Sequence, residues 1–338
     1  GKATKGLSYL DASFADQGFL SALWMEMDTH APHVLNHARV RGLKALGNTW
    51  EIRGVDEFDG TPFSLLANHV LNATGPESIK NMEEWGFSCP HRMVWSQGSH
   101  LLLKGNFVDW KEALVVPVSQ GRVFFMVPWQ NKWLAGTTEA VLNEFPKIPE
   151  PQKEEVQEML DSIEKYVGKR PNKKEVLGQF SGIRPLVSLG GKSGKKASSI
   201  SRKHLTIEHA PGLVSLLGGK WTIFRQMGED GLKTLFKEKL PPILKDYPPL
   251  QPLPNIPEDK ANINAYFYKS NGAALFPDDL VFRRFFSGLE DVPGYLKNQE
   301  SWWSWWWPGA PEAEKQKEKN RLSTYLFKAT FDQEPQQD

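Results

Sequence analysis

Residues 213–225 set a lysine at the mouth of a glycine turn. An apolar run over 213–217 leads into Gly218-Gly219-Lys220-Trp221-Thr222-Ile223-Phe224-Arg225, and Met227, Leu232 and Leu235 follow at helical spacing. A strand–turn–helix of this kind opens unpaired backbone N–H groups toward a ligand, and paired glycines let that ligand approach closely. The G-x-G-x-x-G loop that grips a dinucleotide pyrophosphate occurs nowhere in the chain. Two other clusters have less chemistry in them. His30, His33 and His37 approach the spacing of a helical metal site, but Pro32 and the strand-like Val34-Leu35 break the register, so no metal site is expected. Gly190-Gly191-Lys192-Ser193-Gly194-Lys195-Lys196 imitates a phosphate loop, yet Lys196 stands where Ser or Thr must hold magnesium, and a solvated insertion is expected.

Periodicity supplies the elements that must position such groups. Residues 8–10 read as a strand, 11–16 as an acidic turn, and Phe19, Leu20, Leu23, Trp24 and Met27 as one face of a helix. Short alternating segments from 34 to 70 predict a β-meander, ending in a buried strand that stops at Asn72-Ala73-Thr74-Gly75-Pro76. Strands over 101–103, 113–118, 122–128 and 132–137 predict a mixed sheet. Val156, Met159, Leu160, Ile163 and Val167 then recur at helical spacing, with Gly168 as the stop. Strands return over 176–179, 204–208 and 213–217. Beyond 238, seven prolines between 241 and 257 exclude a continuous helix and predict an extended arm.

Composition narrows the function classes. Forty-one basic against 40 acidic residues in 338 give a net charge of +1, which argues against a dedicated nucleic-acid surface. The single cysteine, Cys89, excludes an internal disulfide, and no apolar run reaches the ~18 residues of a transmembrane span. Five of the 13 tryptophans fall within 302–307. Such a cluster suits either a membrane interface or a protein groove; with no cationic amphipathic helix beside it, protein docking is the favoured reading.

Four ordered segments resemble the FAD-dependent, mitochondrial-type glycerol-3-phosphate dehydrogenases of the glycine-oxidase-like flavoprotein group. They are Val70-Leu71-Asn72-Ala73-Thr74-Gly75-Pro76; Gly121-Arg122-Val123-Phe124-Phe125-Met126-Val127-Pro128-Trp129 with Gly136-Thr137-Thr138; Ser181-Gly182-Ile183-Arg184-Pro185-Leu186-Val187 with Ser201-Arg202; and the turn from Gly218 to Arg225. The resemblance covers about residues 7 to 235. It implies an α/β (α+β) fold: a partial FAD-binding domain and a mixed-sheet substrate domain, with an extended aromatic C-terminal arm. The implied divisions are a flavin-domain remnant with the meander (1–92), a substrate-domain-like sheet and helix (93–210), a strand–turn–helix returning to the flavin domain (211–238) and the arm (239–338). It also implies roles. Thr74, Gly75, Gly218, Gly219 and Thr222 would lie by the cofactor, His100 of Ser96-Gln97-Gly98-Ser99-His100 would open a substrate-domain strand as the catalytic base, Lys220 would sit by substrate and flavin, and Arg184 and Arg202 would hold the substrate phosphate. Those types suit the chemistry, since alcohol oxidation needs a base near neutrality and a phosphate is well held by guanidinium forks.

The chain departs from the family's pattern. The family's glycine-rich β-α-β unit, its His-Gly-Gly segment and its helical C-terminal domain have no counterpart in these residues, Ile223-Phe224 stands where Thr-Tyr is usual, and Glu139 replaces an aspartate. The expectation is therefore a non-catalytic structural subunit of a large mitochondrial assembly, associated with the inner membrane. It would bind no cofactor of its own and would contact other subunits through an exposed remnant sheet and the 302–307 arm. The alternative is the substrate-binding half of a split glycerol-3-phosphate dehydrogenase, with FAD held jointly with another chain.

Overall fold

The structure, a computed structural model, describes residues 37–237 apart from 58–59, 119–121, 130, 147, 190–199 and 201, together with 6–13 and isolated positions at 16, 19, 20, 23, 35 and 312. The arm at 239–338 with its tryptophan cluster, His30, His33 and the 190–196 loop therefore lie outside the described residues, Glu312 apart. By its contacts the chain divides into two units, and every strand and helix named below belongs to one of them.

The meander forms as its alternation requires. Strands β1 (Ala38–Leu46), β2 (Thr49–Asp56) and β3 (Pro62–Ala67) pair antiparallel in that order. Gly47, at φ 64°, makes the two-residue β1–β2 turn, with Leu46 opposite Thr49. Leu43 and Trp50 bury their side chains with Met82 and Leu213. Residues 8–10, read as a strand, form none: Leu10 is fully exposed, and an extended segment without a partner leaves its backbone to water. Asp16, Phe19, Leu20 and Leu23 are helical, as expected.

The second sheet carries the site. Its strands are β5 (Arg92–Lys104), β6 (Leu114–Pro117), β7 (Val123–Trp129), β8 (Lys132–Gly136), β9 (Ala140–Leu142) and β10 (Val176–Ser188), ordered β10-β5-β8-β7-β6 with β9 also on β5. Every pairing within it is antiparallel, and between β7 and β8 the connection is too short for a parallel crossover. Helix α2 (Lys153–Val167) covers one face, packing Met159 and Ile163 on Leu101, Leu103, Phe124 and Met126. Burying each of those helix side chains stabilises the fold by about 1.5–3 kcal/mol. Its ends are set by chemistry already visible in the sequence. A capping box of Gln152 and Glu155 starts it, and Gly168, left-handed at φ 82°, ends it.

The third sheet is small and holds the one parallel pair among the described residues. Its order is β11 (His204–Ala210), β12 (Leu213–Gly218), β4 (Val70–Asn72), with β12 and β4 parallel and Ser215 opposite Asn72. After β4 a single 3-10 turn (Gly75–Glu77) leads into helix α1 (Ser78–Glu84). After β12 a second 3-10 turn (Trp221–Ile223) leads into helix α3 (Phe224–Phe236). The α/β reading holds, and the parallel part of the sheet structure is confined to these strand ends. No helix among the described residues is long and apolar enough to cross a membrane.

Candidate functional site

Alternation along β5 separates packing from chemistry. Leu101 and Leu103 face α2, and Gln97 reaches Glu155 on that helix, while Ser96, Gly98 and His100 face the other way. Antiparallel pairing sets His100 opposite Phe180, Gly98 opposite Gly182 and Ser96 opposite Arg184, so Arg184 shares the face of His100. The glycine between them is needed. A Cβ on Gly98 would lie 2.2 Å from Arg184 Nη2, so the guanidinium lies across the bare backbone there. A Cβ on Gly136, opposite His100 on β8, would lie 2.5 Å from the His100 Cδ2. Two glycines thus clear the floor beneath an imidazole and a guanidinium.

The site opens where the sheet divides. β5 pairs with β8 over 100–104 and with β9 over 95–97, so residues 137–139 leave the ladder between those strands. Arg184 Nη2 donates to Thr137 Oγ1 at 2.7 Å and Nη1 to the Thr138 carbonyl at 3.4 Å. Arg202 approaches the next residue, with Nη2 3.5 Å from Glu139 Oε1. Behind Thr138, its hydroxyl accepts from the Ser99 N–H at 2.9 Å and donates to the buried Glu155 carboxylate. Glu155 also accepts from Gln97 Nε2 at 2.6 Å and the Gln152 N–H at 3.0 Å.

Electrostatics follow from this crowding. Burial, and secondarily the Arg184 charge, push the His100 pKa down to about 4, so its ring is neutral at physiological pH. Burial and the neighbouring Arg202 charge lower the Arg184 pKa, opposed by Glu139 and Glu155. His100 is stacked on Phe180 with ring centres 5.2 Å apart, and its Nδ1 is buried without a hydrogen bond among the described residues. A buried ring nitrogen without a partner is placed to hydrogen-bond a ligand, although its lowered pKa makes it a weaker base than the near-neutral one expected from the sequence.

The two glycine turns pack against the neighbouring ends of β5 and β10. Three residues beyond the paired Ser215 and Asn72 stand Gly218 and Gly75, both left-handed, at the carboxyl ends of the parallel strands where α/β sheets bind ligands. The buried Asn72 carboxamide fixes the first turn, donating to Ser215 Oγ and the Ser78 carbonyl at 3.0 Å each and accepting from the Thr74 N–H and hydroxyl. Trp95 Nε1 donates to the Pro76 carbonyl at 2.9 Å, and a Cβ on Gly218 would lie 3.5 Å from the Pro185 carbonyl oxygen. Trp95 and Pro185 are paired, one position from Ser96 and Arg184. Nothing lies within 4 Å of where a Gly75 Cβ would be, so this turn faces open space.

Of the residues singled out in the sequence, His100, Arg184 and Arg202 come together, and Thr74, Gly75, Gly218 and Gly219 lie on the adjoining turns. Lys220 and Thr222 are exposed beyond Gly219, and no contact of the Lys220 side chain with His100 or Arg184 appears among the described residues. His100 does not open its strand: β5 begins eight residues earlier, because β9 and β10 both extend pairing to that end. Sequence reading missed Glu155 and Gln97 as supports of the site. The Gln152–Glu155 capping box was the available signal for the first; none marked the second.

This constellation, on this fold, defines a class. Residues 2–223 match the FAD dependent oxidoreductase family, and the chain belongs to that family. It is 37% identical over 213 residues to the mitochondrial glycerol-3-phosphate dehydrogenase of Arabidopsis thaliana, covering 60% of this chain and 33% of that protein. To the mitochondrial glycerol-3-phosphate dehydrogenase of Schizosaccharomyces pombe it is 30% identical over 250 residues, covering 68% and 38%. The chain thus spans well under half the length of these relatives. Its fold matches the glycerol-3-phosphate dehydrogenase of Bacillus halodurans complexed with FAD at a TM-score of 0.70 and 17% identity, covering 94% of this chain and 74% of that one.

Proposed function

We propose that this chain forms the substrate-holding part of an FAD-dependent dehydrogenase acting on glycerol 3-phosphate. The observation that carries the reading is the convergence of a neutral His100, its Nδ1 without a partner among the described residues, with Arg184 and Arg202. Arg184 and Arg202 hold the phosphate. His100 takes the proton of the hydroxyl undergoing oxidation. Its protonation is opposed by burial and by the Arg184 charge; a phosphate seated on that guanidinium offsets the second of these, so proton acceptance becomes easier once substrate is in place. Gly75, left-handed and open at its Cβ position, leaves room for the flavin ring, with the Gly218-Gly219 turn and Lys220 on the other strand end. FAD, when bound, supplies the hydride acceptor.

We set aside the expectation of a non-catalytic subunit. It rested on the departures from the family's pattern and on the arm, which lies outside the described residues, whereas His100, Arg184 and Arg202 are gathered. The named relatives favour a mitochondrial location; attachment to the inner membrane belongs to the proposal, and recovery of the native protein wholly in the soluble matrix fraction would remove it.

Calorimetric titration of the purified chain with glycerol 3-phosphate tests the reading without cofactor. Binding should weaken at least about tenfold in Arg184→Ala, the loss expected for one charge-assisted contact. Absent binding, or equal binding by the variant, would refute it.

A further inference from the structure

A second cleft lies among loops that the proposed reaction does not use. The segment after β5 and the facing ends of β7 and β8 border an open depression of about 730 Å3, lined by Trp110, Trp129 and Trp133 with Lys104, Lys111 and Lys132. That volume is in the range of small-molecule sites. Among the described residues that line it there is no carboxylate. Lys104 interacts with the Glu175 carboxylate, whereas Lys111 and Lys132 make no ion pair among the described residues, and these two charges favour an anion.

The walls are preformed. Trp133 is only 3% exposed and donates from Nε1 to the Gly105 carbonyl at 3.2 Å. A Cβ on Gly105 would lie 1.9 Å from the Asn131 carbonyl oxygen, so the two loops touch through their backbones. Trp110 stands edge-on to Trp133, with ring centres 6.4 Å apart, and is 38% exposed. A large flat indole left part-exposed on a fixed support offers a stacking surface for another flat ring.

We propose that this cleft binds a mononucleotide-type ligand: a planar heteroaromatic ring stacked on Trp110, with its phosphates on the ammonium groups of Lys111 and Lys132. Lysine serves phosphate as a point charge, and two such charges beside one ring suit a phosphate chain better than an isolated neutral ring. Neither His100 nor Arg184 takes part, so the inference stands independently of the substrate proposed above.

Calorimetry on the purified chain tests it, with ADP as probe, adenosine and inorganic phosphate as its separated halves, and phosphatidylglycerol vesicles as an anionic surface. ADP should saturate below about 1 mM, and each half alone should bind at least about tenfold more weakly. Trp110→Ala should weaken ADP binding about tenfold, as should Lys111→Ala combined with Lys132→Ala; the lysine pair keeps the test valid if the tryptophan variant fails to fold. No saturation by about 5 mM ADP would overturn the proposal. So would ADP binding that survives both variants, which places the nucleotide elsewhere, or binding of vesicles without binding of ADP.

Discussion

Gly98→Ala isolates the contact on which the site geometry depends. The added methyl would lie 2.2 Å from Nη2 and 2.5 Å from Cζ and Nη1 of Arg184. These are the far atoms of a flexible side chain, so the backbone can stay while the guanidinium swings away. It then gives up the 2.7 Å bond to Thr137 Oγ1, a charge-assisted contact contributing about 1.5–3 kcal/mol. Replacing glycine returns about 0.4–1 kcal/mol through the unfolded chain. A net loss of about 1–2 kcal/mol should lower the thermal midpoint by several degrees, roughly 2–8 °C for a domain of this size. The more specific readout is His100. Its pKa of about 4 owes most to burial and part to the Arg184 charge, so moving that charge away should raise it while leaving it below the ordinary ~6.5. Titration of the imidazole protons by NMR measures this directly. If the His100 titration and glycerol 3-phosphate affinity are both unchanged in Gly98→Ala, the guanidinium does not lie over residue 98, and the account of the site fails.

Two further outcomes follow from the same network. As pH falls, the unfolded chain protonates His100 near pH 6.5 while the folded chain resists until about 4, so this residue should withdraw about 3 kcal/mol of stability across that window; urea unfolding of His100→Gln should lack that part of the decline. Glu155→Ala strips a buried acceptor from Thr138, Gln97 and the Gln152 N–H, and should cost about 2–4 kcal/mol in the urea midpoint of the folded chain.

Local rules made much of this fold legible and distant ones did not. Helix α2 announced itself through apolar positions 156, 159, 160, 163 and 167 and its glycine stop, because a packed helix face needs that period. The meander and the glycine endings of β4 and β12 were readable for the same reason. Strand β5 was read as three residues and has thirteen. Its first half, Arg92 to Ser99, alternates poorly, since Ser96, Gln97 and Ser99 are buried by partners from β9, β10 and α2 that lie far along the chain. The resemblance supplied His100, Arg184 and Arg202, and the structure supplied their geometry: glycines 98 and 136 look like flexible points in the sequence and are clearances in the fold. Strand β9 is three residues long and carried no periodic signal of its own.

The divergence of β8 from β9 has a spectroscopic consequence. The Ser99 amide, which would meet a strand carbonyl had the ladder continued, closes instead on the hydroxyl of Thr138. That hydroxyl is held by Glu155, and the carbonyl of the same residue receives Arg184. Deuterium uptake at Ser99 is therefore governed by whether Thr138 stays in place, while the amides of Leu101 and Leu103 report on the paired sheet around it. One backbone proton in the middle of the longest strands thus serves as a native gauge of how firmly Arg184 is seated, readable without cofactor or turnover.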